Sequence, residues 1–455
     1  MGNTVKQINY LLAGCLLLIT SSPIFGQEHD RLSLDSAIVL SLSHSKEIKI
    51  GDSKVREATG ALHEAKDNRL PDINISGQYM RVNKPNLNIK LEDNNDSGEG
   101  DGADEGGGTP SVSQVMFGMA TASLPIFAGG QINQGIASAK FLEKAATLDA
   151  ERDKQQVIQN TIAAYYNLYK AQASVQLVKE NIKSSQQRVK DFTNMEANGL
   201  VARNDLLKVQ LQESNLELAL LTAENNEKIA NYNFNLMLGL SESTILNLDT
   251  AGFKQAELRR SLADWEQLAL TNRADFKALS ERQGAAHAGI KMAKGAYYPA
   301  LSISAGYVAA DIPHALTITN AVNAGVGLSY NLAALYKAGA KVKQAEAREE
   351  QLYWRQEQLG DDIRIEIHQA FQDYNQQLKK IQVYLKAVEQ ANENYRITKN
   401  KYDNSLATTT DLLDADVARL QAGIDYAYAK ADAAVAYNKL FESAGISANQ
   451  KSGLN

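Results

Sequence analysis

The sequence is poor both in residues that lock small folds and in residues that break long ones. Its one cysteine, Cys15, excludes a disulfide framework in the mature chain. Seven prolines in 455 residues leave room for long uninterrupted helices. After residue 27 no run of 18 apolar residues occurs, so a membrane-spanning reading requires a closed β-barrel. Neither charge sign dominates: 47 basic and 53 acidic residues give a net charge of -6, no case for nucleic-acid binding. The six histidines (His29, His44, His63, His287, His314, His368) are scattered. There is no H-E-x-x-H, phosphate loop, G-x-S-x-G or cysteine pair, so no catalytic site, cofactor or metal is expected.

What is present begins with an export signal over residues 1–26. Lys6 supplies a weak basic region, Leu11 to Ile19 an apolar core too short to span a bilayer, and Ser21 to Gly26 a cleavage region. Leu12-Ala13-Gly14-Cys15 offers lipidation at Cys15 as the alternative, although the apolar run continues past it to Ile19.

The mature chain states one plan twice. Asn198-Gly199-Leu200-Val201-Ala202-Arg203-Asn204-Asp205-Leu206-Leu207 aligns without a gap with Asn404-Ser405-Leu406-Ala407-Thr408-Thr409-Thr410-Asp411-Leu412-Leu413, at an offset of 206. Each copy is a turn signal followed by a helix start. Long segments flank both turns with apolar residues at 3-4 spacing: Leu168, Ala171, Val175, Val178, Ile182, Ser185, Val189 and Phe192 in the first, Phe371 to Tyr395 in the second. The first segment, Gln131 to about Glu196, would reach roughly 100 Å at about 1.5 Å per residue. Its return helix, Leu206 to Leu238, carries Leu207, Leu211, Leu218 and Leu221 as its expected seam.

Upstream of each hairpin the spacing predicts a helix and then two strands. Residues 33–68 read as one helix ended at Pro71; strands follow at about 72–82 and 112–127. At an offset of 228, Ser261-Leu262 matches Ser33-Leu34 and Pro299 matches Pro71; strands are expected at about 300–310 and 321–332. Between the first two strands lies an acidic, glycine-rich stretch, 92–108, which the second repeat lacks. It reads as a solvated, dispensable loop. The organisation is thus signal 1–26, repeat one 27–240, connector 241–260, repeat two 261–446 and tail 447–455. Four strands cannot close a barrel, so other copies of the chain must complete it.

In this order, twice over, the marks resemble the TolC-like outer-membrane efflux proteins. They are Leu70-Pro71 and Tyr298-Pro299 at the helix-to-strand junctions, Leu124-Pro125-Ile126-Phe127 before Gly129-Gly130, and the two turns. The second repeat departs at Tyr330 to Gly339, which lacks Pro-Leu-Phe. The resemblance implies an α+β membrane protein with four strands per chain. Three chains would form a twelve-stranded barrel continued by a long α-helical barrel. The function implied is a passive exit duct of a tripartite efflux or secretion system, not an enzyme. Its partners would be two further copies, a periplasmic adaptor, an inner-membrane pump and outer-membrane lipid. An exported coiled-coil scaffold without a pore is the alternative. The resemblance also places Asp411 and Asp414 at a periplasmic constriction, with Tyr402 matching a tyrosine that holds it closed. The family's arginine partner falls at Ala407, so that latch is absent. Gly199, Leu200, Val201, Ser405, Leu406 and Ala407 match the adaptor-docking tips. From the residues alone, Asp411, Asp414 and Asp416 are equally readable as first-turn acids that favour the helix dipole.

Overall fold

The computed structural model describes residues 31–83, 113–249, 260–313 and 316–446. The signal with Cys15, the acidic loop 92–108, most of the connector's second half and the tail 447–455 lie outside the described residues. In chain order the elements are α1 (Leu34–His44), α2 (Lys46–Asp67), β1 (Asp72–Arg81), β2 (Gln114–Ala128), α3 (Gln131–Ala197) and α4 (Arg203–Leu238). The second set is α5 (Leu262–Asn272), α6 (Ala274–Lys294), β3 (Ala300–Ile312), β4 (Leu316–Ser329), α7 (Ala334–Asp403) and α8 (Thr409–Ser443). No helix among the described residues is long and apolar enough to cross a membrane.

The single helix expected over 33–68 is two. Ser45 leaves the helical region at ψ 125 and its hydroxyl accepts from Ile48 N, so it ends α1 and caps α2. Serine is suited to this because its side chain competes for backbone donors. Residue 273, 228 positions later, repeats the break at ψ 127 with an arginine. There the guanidinium binds Asp275, Glu366 and the Ser443 carbonyl instead of capping.

The strands form one antiparallel sheet in the order β1-β2-β3-β4. β4 runs Leu316–Ser329, several residues earlier than the expected 321–332. Register puts Ile75, Ala120, Tyr307 and Val322 in one row, and Ile303 beside Leu124 and Val326. That face is apolar and uncovered; Asn74, Ser76, Thr121, Ser123, Ser302, Ser304 and Asn323 occupy the other. Apolar and polar residues alternating on a sheet with nothing on its apolar side is the signature of a lipid-facing barrel wall. β1 and β4 each keep one unpaired edge. Gly129 and Gly130, at φ 59 and 78, turn β2 into α3; a Cβ on Gly129 would collide with the Gly295 carbonyl.

Beyond the sheet the long helices lie side by side. Nearer the sheet the row is α2-α3-α6-α7; further out it is α7-α8-α3-α4. Between the rows, residues 244–249 and α1 strap across α3 and α4. Tyr165 Oη donates to the Leu32 and Asp249 carbonyls, while Gln172, Asn231 and Asn235 hold the carbonyls of residues 244 and 246. Burial, with Tyr166 and Asp249 beside it, pushes the Tyr165 phenol up to about 12, so it remains a donor throughout the physiological range.

The buried stripe of α4 is Leu206, Val209, Leu216, Ala223 and Ala230. The expected seam of Leu207, Leu211, Leu218 and Leu221 is exposed on its outer side instead. α4 thus carries two apolar stripes: one packs against α3, with α1 and α8 beside it, and the other is uncovered among the described residues.

Candidate functional site

The two hairpin turns are built alike. Gly199 and Ser405 take the left-handed conformation, at φ 71 and 61. Leu200 N bonds Met195 O at 2.8 Å and Leu406 N bonds Lys401 O at 2.7 Å, the six-to-one bond that closes a helix end. Leu200 and Leu406 are 73% and 77% exposed, two leucines presented at the tip with nothing among the described residues to cover them. Val201 instead packs inward beside Leu206 and Val209, and Ala407 is half-buried. Pro71 and Pro299 sit immediately before β1 and β3.

The helix starts after the turns differ. Thr408 and Asp411 form a capping box: Thr408 Oγ1 accepts from Asp411 N at 3.2 Å, and Asp411 Oδ2 accepts from Thr408 N at 2.8 Å. The Thr408 hydroxyl, which donates to Asp411 Oδ2 at 2.7 Å, and the Thr408 N–H hold the Asp411 carboxyl below the usual carboxylate range. In the first repeat Ala202 occupies the position of Thr408 and makes no side-chain cap. Asp411 is therefore engaged as a cap, while Asp414 is exposed and without a hydrogen bond or ion pair among the described residues. Asp414 begins a polar stripe on α8 that continues through the exposed Gln421 and the half-buried Asp425 to the half-buried Asp432, which pairs with Lys170 at 2.9 Å. Lys170 lies on the side of α3 away from Tyr165 and Gln172, so this stripe faces away from the strap.

Asp416 does something else. It is 2% exposed and ion-paired with Arg188 of α3 at 2.9 Å and with Arg419 at 2.7 Å. Arg188, 8% exposed, also donates to Tyr395 Oη of α7, and the Arg419 guanidinium lies 4.0 Å from the centre of that ring. Arg188 Nη1 and Ser185 Oγ, one turn apart, are buried without partners. One cluster thus joins three helices of the two hairpins. A turn or two nearer the tip, Tyr402 stacks on Phe192 with centroids 5.6 Å apart, next to Leu206, Val209 and Leu413. Burial raises the Tyr402 phenol, and Asp205 and Asp403 add to it against a hydrogen bond with Thr409. Tyr402 is a packing residue between hairpins, not a side chain standing free at the tip.

Sequence reasoning singled out Asp411, Asp414 and Tyr402 but missed Arg188, Tyr395 and Arg419. The available signal was Arg188 itself, a fixed charge beside the apolar seam of Ser185, Val189 and Phe192. Among the described residues no group of three or more metal-ligating side chains comes together.

The chain matches the family described as outer membrane efflux protein over residues 37–240 and 265–446. No curated protein sequence matches it significantly. Among solved structures, the Campylobacter jejuni CmeC outer membrane channel aligns with a TM-score of 0.76 and 17% identity, covering 90% of this chain and 85% of that one. The Vibrio cholerae outer membrane protein VceC aligns at 0.72 with 18% identity, over 90% and 96%. The open state of the Neisseria gonorrhoeae MtrE outer membrane channel aligns at 0.71 with 14% identity, over 91% and 89%. At such identities the likeness shows a shared fold.

Proposed function

The chain belongs to the outer membrane efflux protein family, and on that premise we propose that it is the passive exit duct of a tripartite efflux or secretion machine. It resides in the outer membrane and extends into the periplasm. The observation that carries the duct is the agreement of its three layers. The sheet ends in free edges at β1 and β4, the upper row at α2 and α7, and the lower row at α4 and α7. Every layer is open at the same two sides, so a head-to-tail ring of copies closes all three at once. Three copies give twelve strands, a size that encloses a channel. The lipid-type face of the sheet argues against a scaffold without a pore.

In this ring the face of α8 away from the strap lines the lumen, which puts Asp414 in the throat at the hairpin tips. Like charges brought together there attract cations. The Arg188–Asp416 cluster and the Tyr402–Phe192 stack tie one hairpin to the other and hold the throat narrow. The family's arginine, which would fall at Ala407, is missing, and in this reading these contacts take over its task. The exposed Leu200 and Leu406 tips receive the periplasmic adaptor, and an inner-membrane pump supplies the energy. Mass measurement in detergent and single-channel recording test the duct. A trimer with a cation-selective conductance is expected; a monomer, or an oligomer that conducts nothing, overturns the reading.

A further inference from the structure

The two repeats make the same helix contacts. Thr59 donates to Glu143; 228 and 206 residues on, His287 meets Glu349 at 3.0 Å. Arg69 donates to Asn133, and their counterparts Tyr297 and Gly339 are again neighbours. So α2 sits on α3 as α6 sits on α7. But α6 is covered on its other side as well, by α3. There Ser138 donates to the Ala285 carbonyl, Lys144 pairs with Glu281, Arg282 pairs with Asp149, and Met292 Sδ lies where a Cβ on Gly135 would meet it. Ala274, Ala278, Ala285 and Ala288 are buried in that joint.

The equivalent side of α2 is bare: Lys46, Ile50, Glu57 and Gly60 are exposed, and Lys46, Lys49, Ile50, Ser53, Lys54 and Glu57 line a shallow concavity. The side of α7 equivalent to the α6-facing side of α3 is bare too. Each end of the row therefore presents half of a joint that is complete in its middle.

We propose that α2 of one copy docks on α7 of the next in the antiparallel register in which α6 docks on α3. This rests on the ring reading and adds which residues meet. Carrying the internal contacts over by 228 and 206 sets Glu64 beside Lys341 and Glu57 beside Gln344. The Lys144–Glu281 level becomes Glu350 opposite Ser53, with Lys54 adjacent. Read away from the sheet, α2 presents Glu64, Glu57, Lys54 and Lys46, while α7 presents Lys341, Arg348, Glu350 and Glu357. Two negative then two positive groups face two positive then two negative. None of these eight has an ion-pair partner within its own chain among the described residues. Arg282–Asp149 has no such counterpart, since Lys54 and Arg355 are both cations; Lys54 turns to Glu350 instead. Near the centre, Ile50, 56% exposed, comes level with Trp354, 62% exposed, whose Nε1 donates to Glu350. An aromatic anchor rimmed by complementary charge suits a joint between separate molecules, which must first find each other. The alanines of the internal joint have no such task.

The test uses the full chain with Glu57→Cys and Gln344→Cys together, positions equivalent to Ala285 and Ser138. Oxidation should link the copies into a covalent trimer, and either cysteine alone should not. Separately, Glu64→Lys and Lys341→Glu should each raise the fraction of dissociated subunits in detergent, by about threefold per joint. The two reversals together should return it to the parent value. A trimer by mass that neither cross-links nor responds to the reversals would overturn this register while leaving the duct intact. Absence of any trimer in the parent chain would overturn both.

Discussion

Arg188 on α3 reaches Asp416 on α8 across 2.9 Å, and so joins the two hairpins with a buried ion pair between residues 228 apart in sequence. Removing one member of such a pair leaves an uncompensated buried charge, at a cost of about 3–5 kcal/mol. Arg188→Met and Asp416→Asn should each lower the unfolding temperature and raise resting conductance. The combined Arg188→Met, Asp416→Leu variant should recover most of the stability and still conduct at rest. Calorimetry and bilayer recording check the two halves separately. A leak that disappears when stability returns would show that the pair only stabilises the fold.

Asp411 and Asp414 should behave differently although they lie three residues apart. Asp414→Ala should abolish block by a trivalent cation and weaken cation selectivity. Asp411→Ala should keep the block and loosen the start of α8, seen as faster amide exchange over residues 409–413. Block that persists in Asp414→Ala would remove that carboxylate from the throat.

The missing cap of the first repeat can be installed. Ala202→Thr, followed by Asp205 at the spacing of Thr408 and Asp411, should stabilise the fold by about 1 kcal/mol. Thr408→Ala should destabilise it by about the same amount. Denaturant titration compares the two variants directly.

Glu366 should set the acid limit of the assembly. Burial alone would raise its carboxyl, but the hydrogen bonds and charges of Lys439 and Arg273 outweigh burial and hold it below the usual value. A carboxyl depressed in the folded state adds stability above its unfolded pKa of about 4.3, and that stability is lost as pH falls through the folded value. Unfolding temperature should therefore drop on acidification below about pH 4. Glu366→Gln should be less stable at neutral pH and should flatten that drop. An unchanged acid slope in the variant would assign the loss to other carboxylates.

The repeated plan, the strand alternation and the tip turns were legible because each is a periodicity or a pair of turn residues, all local signals. The break at Ser45 was not, since the apolar spacing runs straight through it and one hydroxyl decides. The stripe of Leu207, Leu211, Leu218 and Leu221 was visible as apolar but not as belonging to a different neighbour. Periodicity reports that a face is covered, not what covers it. Arg188 and Asp416 meet only because two hairpins pack, so nothing near either residue announces the pair. Asp411 and Asp414 look alike in sequence until Thr408 engages one of them.

The helices α3 and α7, of 67 and 70 residues, also make the molecule a ruler. Their seams repeat every seven residues, so the reach from sheet to tip changes in register only by whole heptads, about 10.5 Å each. A seven-residue insertion placed at one level in all four hairpin helices should lengthen the duct and keep every seam aligned. The same insertion in one helix alone would shift the turn against its partner and disturb the tip. A duct of this build can thus be matched to a wider or narrower gap between membranes in discrete increments, and to no length in between.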